Sequence, residues 1–136
     1  MRSLMIYLDA NIFLHPLLAN DSKSEGCIAL LEKVGKGEIE AGTSPLTWDE
    51  FYYTLKNKLG SEKTLTLSED FLNTPNLLFL DATEQIIRFA HDLTKDVGLK
   101  PRDAIHAATA ILNGCKDIVS DDKDFDRVKE LKRIAP

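Results

Sequence analysis

Short apolar runs that stop at polar residues alternate along this chain with segments in which apolar residues recur every three or four positions. Leu4–Leu8 is continuously apolar, and shorter runs occur within Leu77–Leu80 and Asp117–Ser120. Runs of this length are typical of strands buried on both faces of a parallel sheet. A weaker strand is expected at Glu38–Ala41, and an edge strand at Arg133–Ala135.

The segments between these runs have the apolar period of helices and carry typical helix ends. Ser44 followed by Pro45 indicates a helix start, and Thr83 and Gly98 bound another helix. The predicted helices run from Ile12 to Leu18 with an interruption near Pro16, from Ser22 to Gly35, from Pro45 to Gly60, from Ser61 to Asn73, from Glu84 to Val97 and from Pro101 to Gly114.

Alternation of strands and helices predicts an α/β fold, a three-layer α/β/α domain with a mainly parallel central sheet and right-handed crossovers. The sequence shows neither an internal repeat nor a linker, so residues 1–136 are expected to form a single domain. In such sheets ligands bind at the carboxyl ends of the strands. The residues that follow each strand are therefore the candidates for catalytic or ligand-binding residues.

Composition narrows the class of protein. Apolar residues make up 43% of the chain and charged residues 29%, the balance of a globular domain and not of a disordered chain. No run is long and apolar enough to span a membrane, and Met1–Ser3 lead directly into the first strand instead of a signal-peptide apolar segment. The expectation is a cytoplasmic protein with no membrane partner.

Charge and cysteine content exclude two kinds of site. The 17 Lys and Arg residues against 22 Asp and Glu residues give a net charge of -5, which argues against nucleic-acid binding through a broadly basic surface. Cys27 and Cys115 are far apart and the three histidines are scattered, so no thiol or imidazole metal site follows from spacing.

Acidic residues follow two of the best predicted strands. Asp9 comes directly after the first strand, and Asp121, Asp122 and Asp124 follow the strand that ends at Ser120. If the chain continues in extended form after Ser120, Asp122 and Asp124 point to one side and Asp121 to the other. A structural role is open for Asp9, which could be a helix N-cap or a turn former.

Two further carboxylates lie near helix starts. Asp103 is in the first turn of the helix that begins at Pro101, where the helix dipole would stabilise it without any function. Glu50 could close a capping box with Thr47, but Pro45 favours Ser44 as the cap and would leave Glu50 without a capping duty.

Taken together, Asp9, Glu50, Asp103 and Asp122 come from the whole length of the chain, each beside an element end. A parallel sheet can bring such ends to one edge. Clustered carboxylates without His or Cys suit Mg²⁺ or Mn²⁺, which prefer oxygen ligands. The residues thus indicate metal-assisted hydrolysis, with a phosphodiester as the substrate bond.

Four segments carry a family resemblance. Residues 7–13, 46–55, 100–108 and 119–125 resemble, in order and spacing, the four acidic motifs of PIN-domain ribonucleases, particularly the small VapC-type toxins. The resemblance implies a Mg²⁺- or Mn²⁺-dependent endoribonuclease that is the toxin of a type II toxin-antitoxin pair, with RNA as substrate and an antitoxin protein as partner.

The same resemblance implies roles for individual residues. Asp9, Glu50, Asp103 and Asp122 correspond to the catalytic metal-site carboxylates, and Asp124 to an assisting ligand. The remaining assignments are Asn11 and Ser120 as supporting residues that orient carboxylates, and Arg102, His106 and Lys123 as possible substrate contacts. Asp121 departs from the family pattern, in which a basic or neutral polar residue is common. His106 could instead be a hydrogen-bonded, partly buried residue.

Other functions and an oligomeric state follow as further expectations. A housekeeping RNA-processing PIN nuclease, a non-catalytic relative and a metal-binding signalling domain resembling a receiver are alternatives to the toxin. The receiver pattern would need paired acids after the first strand, where this chain has Asp9 followed by Ala10 and Asn11. A homodimer is expected because the helices of residues 44–73 carry more apolar and aromatic surface than a small core can absorb.

Overall fold

The strands form one five-stranded sheet around the first strand of the chain. The computed structural model describes residues 4–136, so Met1–Ser3 and the expectation that no signal segment precedes the first strand lie outside the described residues. The strands are β1 (Ile6–Leu8), β2 (Ala41–Thr43), β3 (Leu77–Phe79), β4 (Asp117–Val119) and β5 (Lys132–Ile134). Their order is β3-β2-β1-β4-β5, and every pairing within residues 4–136 is parallel.

Six helices and one 3-10 helix connect the strands. They are α1 (Ala10–Leu18), α2 (Ser22–Gly35), α3 (Pro45–Leu59), α4 (Ser61–Leu72), α5 (Glu84–Val97), α6 (Pro101–Leu112) and a 3-10 helix at Lys123–Arg127. Among the described residues, no helix is both long and apolar enough to cross a lipid bilayer.

The helices pack on both faces of the sheet, which confirms the predicted three-layer α/β/α architecture. Successive residues of a strand point to opposite faces, so Tyr7 lies in the core beneath α5 and α6 while Leu8 lies in the core beneath α1 to α4. In β4, Ile118 lies in the same core as Tyr7, and Val119 lies in the same core as Leu8. The carboxyl ends of β1 and β4 therefore lie side by side at the centre of one sheet edge.

Most predicted boundaries agree with the structure within a few residues, and α1 and β2 are the two corrections. Helix α1 begins at Ala10, earlier than the predicted Ile12, because Asp9 is its N-cap in an extended conformation. Pro16 does not interrupt this helix but lies inside it. Since Pro16 is in the last turn of α1, its missing N–H removes only one helical hydrogen bond, near the C-terminal end of the helix.

Strand β2 lies three residues later than the predicted Glu38–Ala41 segment. Its sequence, Ala41–Thr43, contains a glycine and has low strand propensity. Close packing around this strand accounts for the glycine, because a Cβ at Gly42 would be 2.9 Å from Leu80 Cδ1 and 3.0 Å from Met5 Sδ. Only a residue without a side chain fits there without displacing Leu80 and Met5.

Candidate active site

Asp9 lies at the carboxyl end of β1, where its carboxylate is fixed by two donors. The Ala10 N–H donates to Oδ1 at 2.8 Å, and the Ser120 hydroxyl donates to Oδ2 at 2.7 Å. Ser120 directly follows β4, so this second bond joins the ends of two neighbouring strands. Only 6% of Asp9 is exposed, and this burial raises the pKa of its carboxyl, although the His106 charge and the Ser120 hydrogen bond partly oppose the shift.

Glu50 reaches the same region from helix α3. Ser44 caps this helix, with its Oγ accepting from the Leu46 N–H at 3.1 Å, so Glu50 has no capping duty. His106 Nε2 donates to Glu50 Oε1 at 2.5 Å and lies 3.7 Å from Asp9 Oδ1. Helices α3 and α6 therefore bring Glu50 and His106 together with Asp9 in one cluster.

A second cluster consists of Asp103, Asp122 and Asp124. One carboxylate oxygen from each lies within 4.8 Å of the others. Burial raises the pKa of Asp103 to about 6, and the negative charges of Asp122, Asp9 and Asp124 add to the shift while His106 opposes it. Ser120 Oγ, which donates to Asp9 Oδ2, also accepts from the Asp122 N–H at 3.0 Å, so the two clusters adjoin one another.

The loop after β4 places Asp122 and Asp124 together by a helical turn. Asp122 is the N-cap of the 3-10 helix, and its Oδ1 accepts from the Asp124 N–H at 2.9 Å. Asp122 itself is extended, but the expected extended continuation to Asp124 is wrong because the helical turn begins at Lys123. The tight turn nevertheless brings Asp122 and Asp124 to one side, because a capping aspartate and the residue two positions later face each other.

Asp121 belongs to neither cluster. Lys23 Nζ donates to Asp121 Oδ2 at 2.5 Å, and this ion pair joins helix α2 to the loop after β4. Asp121 and Lys23 line a cavity of about 330 Å³ together with Asn11. Within residues 4–136, no hydrogen bond joins Asn11 to the clustered carboxylates, whereas Ser120 donates to Asp9.

The three residues considered as substrate contacts have different positions. Arg102 and Lys123 are exposed at the starts of α6 and of the 3-10 helix, next to Asp103 and Asp122. His106 is fully buried, and its ring nitrogens are engaged by Tyr7 and Glu50. Tyr7 is the residue that sequence reasoning missed, because within an apolar strand it has no distinguishing signal.

The donor set fits a divalent cation with hard ligands. The structure gathers Asp9 and Glu50 in one cluster and Asp103, Asp122 and Asp124 in the other, and the carboxylate repulsion that adds to burial in raising the pKa of Asp103 is one that a bound cation would relieve. Asp9, Glu50 and Asp122 each have an oxygen held by a hydrogen bond from a neighbour. The arrangement is suited to holding a cation against a phosphate at an otherwise acidic surface.

Comparison with protein families gives one match, to the PIN domain, over residues 6–131. A search of curated proteins finds no match to this chain.

Solved structures with the same fold include complexes from several bacteria. VapBC2 from Rickettsia felis, bound to a DNA fragment from its promoter, has a TM-score of 0.77 at 17% identity, with 97% of this chain and 98% of that chain covered. DNA-bound VapBC from Salmonella typhimurium has a TM-score of 0.74 at 18% identity, with the same coverage. VapC20 from Mycobacterium tuberculosis, described as a sarcin-ricin loop cleaving toxin, has a TM-score of 0.72 at 15% identity, with 91% and 95% covered.

Proposed function

This chain belongs to the PIN domain family, and from that membership we propose that it is a divalent-metal-dependent endoribonuclease that hydrolyses RNA phosphodiester bonds. The observation that supports the proposal is the presence of five carboxylates in two adjoining clusters, one with Asp9 and Glu50 and the other with Asp103, Asp122 and Asp124, beside the carboxyl ends of β1 and β4. The family match also removes the reason for considering a receiver-like signalling domain.

In this proposal Asp9, Glu50, Asp103 and Asp122 hold Mg²⁺ or Mn²⁺, and Asp124 assists. An ion bound there would lower the pKa of a water molecule and stabilise negative charge on the leaving oxygen of a phosphodiester. The chain itself provides orientation, because Ser120 fixes Asp9 and the cap of the 3-10 helix fixes Asp122.

Substrate phosphates would be met by cations at the rim of the cluster. Arg102 and Lys123 are exposed and lie beside Asp103 and Asp122 in the chain. Two other cations nearby are already engaged, since Arg127 lies 3.5 Å from Asp124 and Lys23 pairs with Asp121. Arg102 and Lys123 are therefore the better candidates for positioning the RNA backbone.

We further propose that this single domain is the toxin of a type II toxin-antitoxin pair and has an antitoxin protein as partner. The support is the number of VapBC complexes among structures of the same fold, and the coverage of nearly all of both chains in those comparisons. A housekeeping RNA-processing nuclease is the alternative within the family, and it would not arrest growth when overproduced.

A cleavage assay tests the nuclease. Purified protein is incubated with a fluorescent single-stranded RNA in EDTA, in Mg²⁺ and in Mn²⁺, alongside Asp103→Asn and the control Asp92→Asn on the exposed surface of α5. We expect cleavage only with metal, and only by the unmodified protein and the control. Undiminished cleavage in EDTA would contradict the metal mechanism, and equal cleavage by Asp103→Asn would contradict the site.

Induced expression in a bacterial host tests the toxin role separately. Growth arrest by the unmodified protein, absent with Asp103→Asn, is the expected result. Normal growth with a protein that cleaves RNA in vitro would favour the RNA-processing alternative.

A further inference from the structure

A buried chain of hydrogen bonds connects the interior of the domain to the candidate metal site. We propose that His106 is a positioning residue that, anchored by Tyr7, holds the Glu50 carboxylate in the orientation needed to bind the metal ion. The inference rests on the proposed function, since it assigns a role toward the same carboxylates. It gives His106 a role different from contact with substrate.

The geometry of the relay is continuous. Tyr7 Oη lies 2.6 Å from His106 Nδ1, and His106 Nε2 lies 2.5 Å from Glu50 Oε1. Tyr7 and His106 have no exposed surface, and their rings meet edge to face with centroids 5.7 Å apart. The relay thus runs from β1 through α6 to α3, around the end of the sheet.

The direction of the hydrogen bonds follows from what surrounds the imidazole ring. Nε2 faces oxygens of Glu50 and Asp9, which are acceptors when ionised, so Nε2 carries a hydrogen and donates it to Glu50. The Tyr7 hydroxyl can donate to Nδ1 of a neutral ring or accept from Nδ1 of a charged ring, so this hydrogen bond is possible in both protonation states of His106. Both ring nitrogens are engaged, and the ring cannot rotate without breaking a bond.

The position of His106 in its helix makes a purely packing role a poor explanation. The neighbouring buried positions of α6 are mostly alanines, namely Ala104, Ala107, Ala108 and Ala110. An imidazole placed among them is costly unless both nitrogens have partners, and an apolar residue would fill the space without that requirement. Among residues 4–136, every buried side-chain nitrogen and oxygen has such a partner.

Glu50 needs an orienting partner more than Asp9 does. Its side chain is 22% exposed, whereas that of Asp9 is 9% exposed and receives bonds from Ala10 and Ser120. A glutamate on a helix surface otherwise samples several rotamers, and ordering it on metal binding costs entropy. The bond from His106 fixes Oε1 in advance and leaves Oε2 available as a ligand.

Manganese affinity, measured without RNA, provides a readout that does not depend on cleavage. Free Mn²⁺ is followed by electron paramagnetic resonance as the full chain is titrated, and thermal melting shows which variants are folded. His106→Asn shortens the side chain so that it loses its reach to Glu50, and His106→Gln can still place a donor near the position of Nε2. His91→Asn, on the exposed face of α5, is the same substitution outside the relay.

We expect His106→Asn to weaken Mn²⁺ binding at least ~10-fold, the lower end of the effect of residues that orient metal ligands. His106→Gln should bind more tightly than His106→Asn, and His91→Asn should bind as the unmodified protein does. Unchanged Mn²⁺ affinity in folded His106→Asn would overturn the inference. So would equal losses in the Asn and Gln variants.

A double-mutant cycle distinguishes a residue that acts through Glu50 from one that binds the ion itself. In a Glu50→Ala background, His106→Asn should cause no further loss of Mn²⁺ affinity, because its target is gone. The same loss in both backgrounds would show that His106 acts independently and would refute positioning.

Two further results keep the test decisive. If His106→Asn does not fold, Tyr7→Phe decides: it should weaken Mn²⁺ binding by freeing the imidazole, and unchanged affinity would overturn the relay. Absence of Mn²⁺ binding by the unmodified protein would overturn the metal site itself, and the relay with it. Failure confined to the variants leaves the proposed function standing.

Discussion

The hydroxyl of Ser120 donates a 2.7 Å hydrogen bond to Asp9 Oδ2 across 111 residues of sequence. Ser120 Oγ also accepts from the Asp122 N–H at 3.0 Å, so one side chain contacts two of the candidate metal ligands. The Ser120 carbonyl in turn accepts from Arg133 of β5. This residue links the ends of β1, β4 and β5 at the point where the carboxylates converge.

Asp9→Asn and Asp103→Asn should each lower RNA cleavage by at least tenfold, about 1.4 kcal/mol of transition-state stabilisation. The fold should remain intact or become more stable, because removing one carboxylate relieves repulsion in the metal-free cluster. Cleavage rates and thermal melting of the metal-free proteins check this. Large losses of melting temperature in both variants would show that these residues serve the fold as helix-end groups.

The three aspartates of the loop after β4 should differ in their effect on cleavage. Asp122→Asn should lower the rate at saturating Mg²⁺ at least tenfold, about 1.4 kcal/mol, and Asp124→Asn should lower it less. Asp121→Asn should have little effect, because Asp121 pairs with Lys23 and belongs to neither cluster. Kinetics of the three single variants decide the order, and a largest effect from Asp121→Asn would mean that the loop is placed incorrectly.

Stability of the metal-free protein should fall as the pH rises from about 4 to above 6. The pKa of Asp103 is about 6 in the folded chain, against about 4 for an unfolded aspartate, so the folded state holds this proton more tightly. That stabilisation is complete below the unfolded pKa and is lost as pH rises through the folded pKa. The raised pKa of His106, where the Glu50 hydrogen bond and nearby carboxylates outweigh burial, acts in the same direction.

Melting curves across this pH range test that expectation. Asp103→Asn should flatten the profile, and Mn²⁺ should restore stability mainly at the higher pH, where the carboxylates are ionised. A metal-free protein that becomes more stable on going to higher pH would contradict the assignment.

Helix boundaries were predicted accurately where a residue with a strong capping or terminating preference stands at the helix end. Ser44 and Thr83 cap α3 and α5, and Gly98 ends α5, as predicted. The structure adds that Gly98 ends this helix in a left-handed conformation. The patterns failed where tertiary contacts determine the position of an element. At Gly42 the strand is selected by the close approach of Leu80, which a propensity cannot indicate.

The candidate site could be predicted as a set of acidic residues but not as a set of contacts. Asp9, Asp103 and Asp122 could be predicted as site residues because each lies at the end of a strand or helix. The bond from Tyr7 to His106 joins residues 99 positions apart and leaves no local pattern. The grouping of Asp122 with Asp124 was expected from an extended chain, and it occurs instead through a 3-10 turn.

Homodimer formation is expected through the outer faces of α3 and α4. Tyr53 is 63% exposed and Leu65 is 56% exposed, and Trp48, also on this side, donates to Ser68 and ties the two helices together. Apolar surface of this kind is stabilised when a second copy covers it. Light scattering should give the mass of a dimer, and Leu65→Arg should disrupt that dimer. The control variant Ile87→Arg, at an exposed position of α5, should remain dimeric. A monomer at high concentration would refute the dimer.

The sheet order also determines when the site can exist during synthesis. β1 is made first yet lies at the centre, and its neighbour on one side, β4, begins 109 residues after Leu8, at Asp117. A nascent chain on the ribosome can fold α1 to α4 against β1 and β2, but the partner of Asp9 has not yet been translated. A cell that makes this protein therefore carries no complete set of the five carboxylates until translation has passed Asp124 and that segment has left the exit tunnel.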